Sequence, residues 1–226
     1  MRIHTVPVSP WQANCHLLAA GDGEAGSRCL VVDPGVMGSE VIVATLDRVG
    51  WTPAAILATH GHLDHVGEAA DLAAVWAVPV HCAVADHPML LTPSLGLGPG
   101  AVPLITQVLG ADELPRPGDL RDHEKLETAG LTVTPHPAPG HTPGSTVLEV
   151  GDDTETVFLT GDVLFRGTIG RTDLPGGDMA EMQATLRRLL EILPTDAVLL
   201  PGHGAATTLA AERQHNPYLQ PEFLER

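Results

Sequence analysis

The sequence predicts one α/β domain over residues 1–226, made of short buried strands that alternate with amphipathic helices. Three observations predict it. Apolar runs of roughly 4–8 residues recur and stop at Gly/Pro turns. Segments with a helical apolar period lie between them. The 226 residues, 43% of them apolar, suffice for one sizeable core, and no repeat, low-complexity tract or linker divides them.

Residues 28–33 read as a strand ending in the turn Asp33-Pro34-Gly35. Ser39 is expected as a helix N-cap, with Ile42, Leu46 and Val49 on one face and Gly50 as the stop. Residues 54–59 form a buried strand that runs into His60, followed by a helix over about 66–76 and a short strand at 78–82. Residues 88–118 carry many Pro and Gly and little period. They read as a long, partly irregular connection, either a substrate-facing flap or a solvated loop. Strands resume at 130–133, 146–150 and 156–160, the last two joined as a hairpin at 151–153. An amphipathic helix spans about 179–193, with Met182, Leu186, Leu189, Leu190 and Leu193 in one stripe. A last buried strand, 197–200, ends at Pro201-Gly202-His203-Gly204, and a terminal helix follows.

Twelve Lys and Arg against 28 Asp and Glu give a formal charge of −16. Such a surface repels phosphate backbones and anionic headgroups, and no basic stripe offsets it, so nucleic acid is not an expected partner. The first residues carry no charged-then-apolar leader and no run reaches the length of a membrane span, so a cytoplasmic protein without a membrane partner is expected. Cys15, Cys29 and Cys82 are odd in number and lack C-x-x-C spacing, which fits buried thiols better than a disulfide framework or a thiolate metal site.

The chemistry concentrates in Thr59-His60-Gly61-His62-Leu63-Asp64-His65, where three imidazoles and a carboxylate follow an apolar strand directly. Neutral imidazole and carboxylate are ligands of zinc, and of iron or manganese in mixed sites. Three further candidates stand at strand ends or Gly/Pro turns: His141 in Pro-Gly-His-Thr-Pro-Gly-Ser, Asp162 after Thr160-Gly161, and His203. Asp33 is either a partner that orients a ligand histidine or a plain turn residue. Arg171 either binds a substrate carboxylate or pairs with Asp173. His4, His16, His81, His87, His123, His136 and His215 match no ligand position.

HxHxDH, then PGHTPGS, GD and PGHG, in this order over about residues 14–218, resembles the pattern of the metallo-β-lactamase superfamily. Within it, residues 14–18, 161–165 and 167–174 resemble the glyoxalase II (hydroxyacylglutathione hydrolase) group in its short bacterial form. The resemblance implies a four-layer αββα sandwich and two divalent metal ions per chain, zinc foremost, with iron or manganese also accepted. It implies that His60, His62 and His141 hold one metal, that Asp64, His65 and His203 hold the other, and that Asp162 bridges them. Asp64 would also orient a hydroxide formed between the metals, which attacks a small-molecule thioester of the S-lactoylglutathione type. A thiolate leaves without a proton donor because a thiol pKa is about 8.5. The tail after His203 lacks the basic helical extension that grips glutathione in the longer enzymes, which puts that thiol in doubt. Alternatives are a mononuclear-iron persulfide dioxygenase of the same fold, using the equivalents of His60, His141 and Asp162, and a lactonase or other ester or amide metallohydrolase. Pro143 and Ser145 stand where the dioxygenases tend to have Asp and Cys.

Overall fold

The computed structural model describes residues 1–225. One six-stranded sheet runs in the order β1 (Arg2–Val8), β2 (Ala13–Ala19), β3 (Arg28–Val32), β4 (Thr52–Leu57), β5 (Val80–His81), β6 (Leu120–Arg121). The second contains β7 (Leu126–Thr128), β8 (Leu131–Pro137), β9 (Thr146–Gly151) and β10 (Thr156–Gly161). A small hairpin, β11 (Leu164–Phe165) with β12 (Thr168–Ile169), follows it. β13 (Val198–Pro201) then pairs with β10, and β14 (Thr207–Thr208) closes the edge. The helices are α1 (Ser39–Val49), α2 (Leu63–Val66), α3 (Ala69–Trp76), α4 (His87–Leu91), α5 (Ser94–Leu97), α6 (Val102–Leu109), α7 (Met179–Ile192), α8 (Leu209–His215) and α9 (Pro221–Leu224).

The strand period of two assigns side chains to layers. On β3, Leu30 and Val32 point between the sheets, where they meet Leu148, Val150, Val157 and Leu159. Their neighbours Cys29 and Val31 point outward under Ile42 and Leu46 of α1 and Leu72 of α3. The second sheet repeats the scheme: Val147 and Phe158 face outward onto Met182, Leu186 and Leu189 of α7. Two sheets face to face with helices outside make the four-layer αββα sandwich that the sequence implies.

Gly50 ends α1 in the left-handed region at φ 72°, as expected of a C-terminal glycine. Ser39 is not the cap. It is the first helical residue, and its hydroxyl donates to Glu68 Oε2 at 2.9 Å. The expected helix over 66–76 is two helices, α2 and α3, because the Glu68 amide donates to Pro34 O at 3.0 Å and leaves the helical ladder. The expected irregular connection over 88–118 is largely helical. Its prolines open helices: Pro88 and Pro103 occupy the first turns of α4 and α6, where no amide hydrogen is needed.

The layer between the sheets carries the stability of this arrangement. Leu148→Ala, at a position with no solvent exposure, is expected to cost about 2–5 kcal/mol in urea unfolding. Val75→Ala, on the exposed side of α3, is expected to stay within about 0.5 kcal/mol of the parent.

Candidate metal centre

Parallel strands end at the same rim, and the chain places its polar residues just beyond those ends. Asp33 follows β3, Thr59 and His60 follow the parallel β4, and Asp162 and His203 follow the parallel pair β10 and β13. β2 joins the two rims: the Asn14 amide donates to Gly202 O at 2.7 Å, and its side chain donates to the carbonyls of Pro201 and Gly204. Gly202 has to be glycine, since a Cβ there would collide with Asp162 Oδ1 and lie 2.7 Å from His65 Cε1.

Seven of the residues singled out from sequence meet at this rim. Ligand atoms within 4.8 Å of one another come from His60, His62 and His141, from Asp64, His65 and His203, and from Asp162 with His60 and His65. Hydrogen bonds behind the rings fix their orientation. His65 Nδ1 meets Asp33 Oδ2 at 3.0 Å, and His141 Nδ1 meets the Arg171 carbonyl at 2.7 Å. The Thr59 hydroxyl donates to Asp33 Oδ2 at 2.6 Å, so its oxygen accepts from His60 Nδ1 at 3.1 Å. In each case Nδ1 is anchored outward and Nε2 is aimed at the cluster.

Some of the inward atoms lack partners, and others face only each other. His60 Nε2 and Asp162 Oδ1 are buried without a hydrogen bond. His65 Nε2 faces His203 Nε2 at 3.3 Å, and His141 Nε2 faces His62 Nδ1 at 3.0 Å. Lone pairs converging in a buried space are costly unless a proton or cation lies among them. Burial, then repulsion from neighbouring imidazoles, holds His60 well below its ordinary pKa, and the same causes, led by burial and then His141, bring His62 down to about 3. Burial opposes charge on His65 too, but the carboxylates of Asp162, Asp64 and Asp33 outweigh it and raise that imidazole to about 10. For Asp64, burial is outweighed by His65 and His203, which pull the carboxylate below its usual range. Neutral imidazoles on one side and carboxylate-bearing groups on the other, all aimed inward, fit a pair of divalent cations.

Of the other sequence candidates, Asp33 is 1% exposed and touches His65 directly, so its role is orientation as well as turning the chain. Arg171 borders the pocket, but its guanidinium is held by Asp173 through two bonds of 2.7 and 2.8 Å. The remaining histidines that are hydrogen-bonded find partners elsewhere: His16 with Thr5, His87 with the Cys82 carbonyl, His123 with the Ala58 carbonyl, His136 with Glu149.

One functional residue escapes a sequence reading altogether. Asp86, with no exposure, accepts from the Gly61 amide at 2.9 Å, from the Thr142 hydroxyl at 2.7 Å and from the Gly144 amide at 2.7 Å. Gly61 lies between His60 and His62, and Thr142 follows His141, so one carboxylate ties together the two loops that hold this histidine set. Burial raises its pKa, against the bonds from Thr142, Gly61 and Gly144. Asp86→Ala strands two buried amides at roughly 1–3 kcal/mol each, so a loss of about 2–5 kcal/mol is expected in urea unfolding of chelator-treated protein. Asp86→Asn, which keeps an accepting oxygen, is expected to lose less. Equal losses in both variants would show that the carboxylate's second oxygen, and not its bonding as a whole, holds the loops.

Comparison with known proteins agrees with this geometry. A family model for the metallo-beta-lactamase superfamily matches residues 8–203. An uncharacterised protein of Mycobacterium leprae is 38% identical, over 97% of this chain and 99% of its own. A hydroxyacylglutathione hydrolase of Haemophilus influenzae is 32% identical, over 97% of this chain and 98% of its own. Among solved structures, the B3 metallo-beta-lactamase BLEG-1 superposes with TM-score 0.80 at 31% identity, covering 97% of this chain and 100% of that one. A protein crystallised in a di-iron-bound form gives TM-score 0.75 at 35% identity, covering 96% and 100%. The matched span runs from the end of β1 to the last histidine of the cluster and so contains every donor described above: the chain belongs to the metallo-beta-lactamase superfamily.

Proposed function

We propose that this chain is a two-metal hydrolase of small-molecule thioesters. The observation that carries the reading is what the pocket lacks besides its ligand set. The titratable side chains lining it are His62, Asp64, His141, Asp162, His203 and Arg171, and the last is engaged by Asp173. Among the described lining residues there is no Ser, Thr, Tyr, Lys or Cys. With its imidazoles and carboxylates serving as ligands, the pocket has no group left to protonate a leaving atom. A thiolate leaves unprotonated at neutral pH, since a thiol has a pKa of about 8.5, whereas an amine or an alkoxide needs a proton. The likeness to the H. influenzae hydroxyacylglutathione hydrolase supports the same choice.

His60, His62 and His141 would hold one cation, Asp64, His65 and His203 the other, with Asp162 between the two sets. When bound, such cations supply Lewis acidity, lowering the pKa of a water to about 7 and polarising a carbonyl. The chain's own contribution is positional. Asp33 and Thr59 keep the Nε2 atoms of His65 and His60 aimed inward, the Arg171 carbonyl does so for His141, and Asp86 fixes the loops. Asp64, 19% exposed at the side chain and 3.3 Å from His203 Nε2, sits at the open side of the cluster and can orient an attacking water.

Metal content by mass spectrometry and thiol release from S-lactoylglutathione and from a neutral acyl thioester test this reading. About two metals per chain and turnover are expected, with kcat/KM reduced at least roughly 100-fold in His62→Ala and Asp162→Ala. Two metals with hydrolysis of lactones or β-lactams but of no thioester would overturn the substrate class. A single iron with no hydrolysis would overturn the hydrolase.

A further inference from the structure

The walls around the cluster have a chemistry of their own. Trp11, from the turn between β1 and β2, Phe165 of β11, whose ring lies 6.2 Å from that of His203, and Leu97, Leu104 and Leu174 border the cavity of about 450 Å³. Trp11 and Leu104 are 42% and 48% exposed. Large apolar side chains left in water around a concave reactive centre mark a ligand-binding surface. The α5–α6 segment that carries Leu97 and Leu104 is anchored. Ile105, 1% exposed, packs with Leu63 and Val36 beneath it, and Asp112 accepts from the Ser94 amide at 3.1 Å and from its hydroxyl. Its seat is directly on the ligand set: a Cβ on Gly96 would lie 2.8 Å from His62 Cδ2 and 3.1 Å from Met89 Sδ. The apolar wall is therefore held at a fixed height over the reacting position.

Among the described lining residues Arg171 is the one Lys or Arg, and a substrate carboxylate would have to compete with Asp173 for its guanidinium. The chain as a whole carries 28 Asp and Glu against 12 Lys and Arg. We propose, on the basis of the thioesterase reading above, that the substrate is a neutral thioester with an apolar arm of several carbons lying against Trp11 and Leu104. A glutathione conjugate with two carboxylates, or a carrier bearing phosphates, finds no unengaged Lys or Arg among the described lining residues and so gains nothing over a neutral arm.

Binding of non-hydrolysable thioethers to the zinc-loaded chain, measured by isothermal titration, tests the assignment apart from catalysis. S-hexyl-N-acetylcysteamine is expected to bind at least 10-fold more tightly than S-methyl-N-acetylcysteamine, because each buried methylene is worth about 4-fold. S-hexylglutathione is expected to bind no better than the neutral hexyl thioether. Leu104→Asp, at a half-exposed position that spares the core, is expected to erase the hexyl preference, and Leu104→Met to retain it. Equal binding of methyl and hexyl ligands, or glutathione conjugates preferred 10-fold, would overturn the inference even if thioesters are hydrolysed. A hexyl preference that Leu104→Asp erases, with no turnover of S-hexanoyl-N-acetylcysteamine, would leave the apolar mouth standing and remove the thioesterase.

Discussion

Asp33 leaves β3 at φ 56°, in the left-handed region that aspartate tolerates better than most residues, and this bend turns its carboxylate back under the rim. There it takes the Thr59 amide at 2.7 Å, the Thr59 hydroxyl at 2.6 Å and His65 Nδ1 at 3.0 Å. The end of β3, the end of β4 and the short helix α2 are thereby fixed to one another by a single buried group. Through Thr59 the constraint reaches His60, and through His65 it reaches the face shared with Asp64, Asp162 and His203. Removing it would free two histidines and a backbone amide at once, which is why so much of the site's geometry hangs on one carboxylate.

Asp86 does the corresponding work on the other side. Asp33 binds elements of the first sheet together, whereas Asp86 joins the loop after β4 to the loop between β8 and β9, which belongs to the second sheet. The candidate ligand set His60, His62 and His141 spans both sheets, so it can keep its shape only if the sheets are fixed relative to each other at that rim. The apolar layer between the sheets supplies the binding strength, but apolar contacts are not directional. The two carboxylates and the Asn14 bonds to the Gly202 region supply the direction. This division explains how the fold tolerates inward-facing atoms without partners, such as His60 Nε2 and Asp162 Oδ1: the cost falls on a rim whose backbone is already held from behind.

The donors themselves are legible in the sequence: His60, Asp162 and His203 each follow an apolar strand with a glycine beside them, His62 and His141 adjoin a glycine, and Asp64 and His65 complete the HxHxDH string. Asp86 is not legible. Its partners lie 25, 56 and 58 positions away, and a short Val-Ala-Asp-His stretch carries no local signal of a buried carboxylate. The glycines on either side of it hold the only trace: a Cβ on Gly144 would come to 2.6 Å of Asp86 Oδ1, but nothing in one sequence says which group demands that space. The helices over 88–118 were obscured for a different reason. Proline inside a helix breaks it, whereas at the first turn it is compatible with the fold, and its position relative to the cap is a tertiary fact. Ser39 likewise has the side chain of a cap, but Glu68 offers its hydroxyl a charged acceptor across 29 positions.

The reacting centre and the selecting surface come from different parts of the chain, and this separation bears on specificity. The donors sit on strand ends held by Asp33 and Asp86, while the apolar walls sit on the β1–β2 turn, on α5–α6 and on the β11 hairpin. A carbonyl at the centre presents much the same atoms whatever is attached to it, so discrimination has to come from the walls. A wall residue such as Leu104 borders the cleft on a helix whose neighbouring face, through Ile105, is buried with Leu63. The wall can therefore change its chemistry at exposed positions without disturbing the packing that holds it over His62. The two systems touch at Gly96, where α5 rests on the His62 ring and a side chain would crowd the imidazole, and at Phe165, whose ring lies edge-on to His203 at 6.2 Å between centroids. A fold arranged in this way can keep one hydrolytic centre fixed while the arm it accepts is set by a few half-exposed side chains, here Trp11 and Leu104.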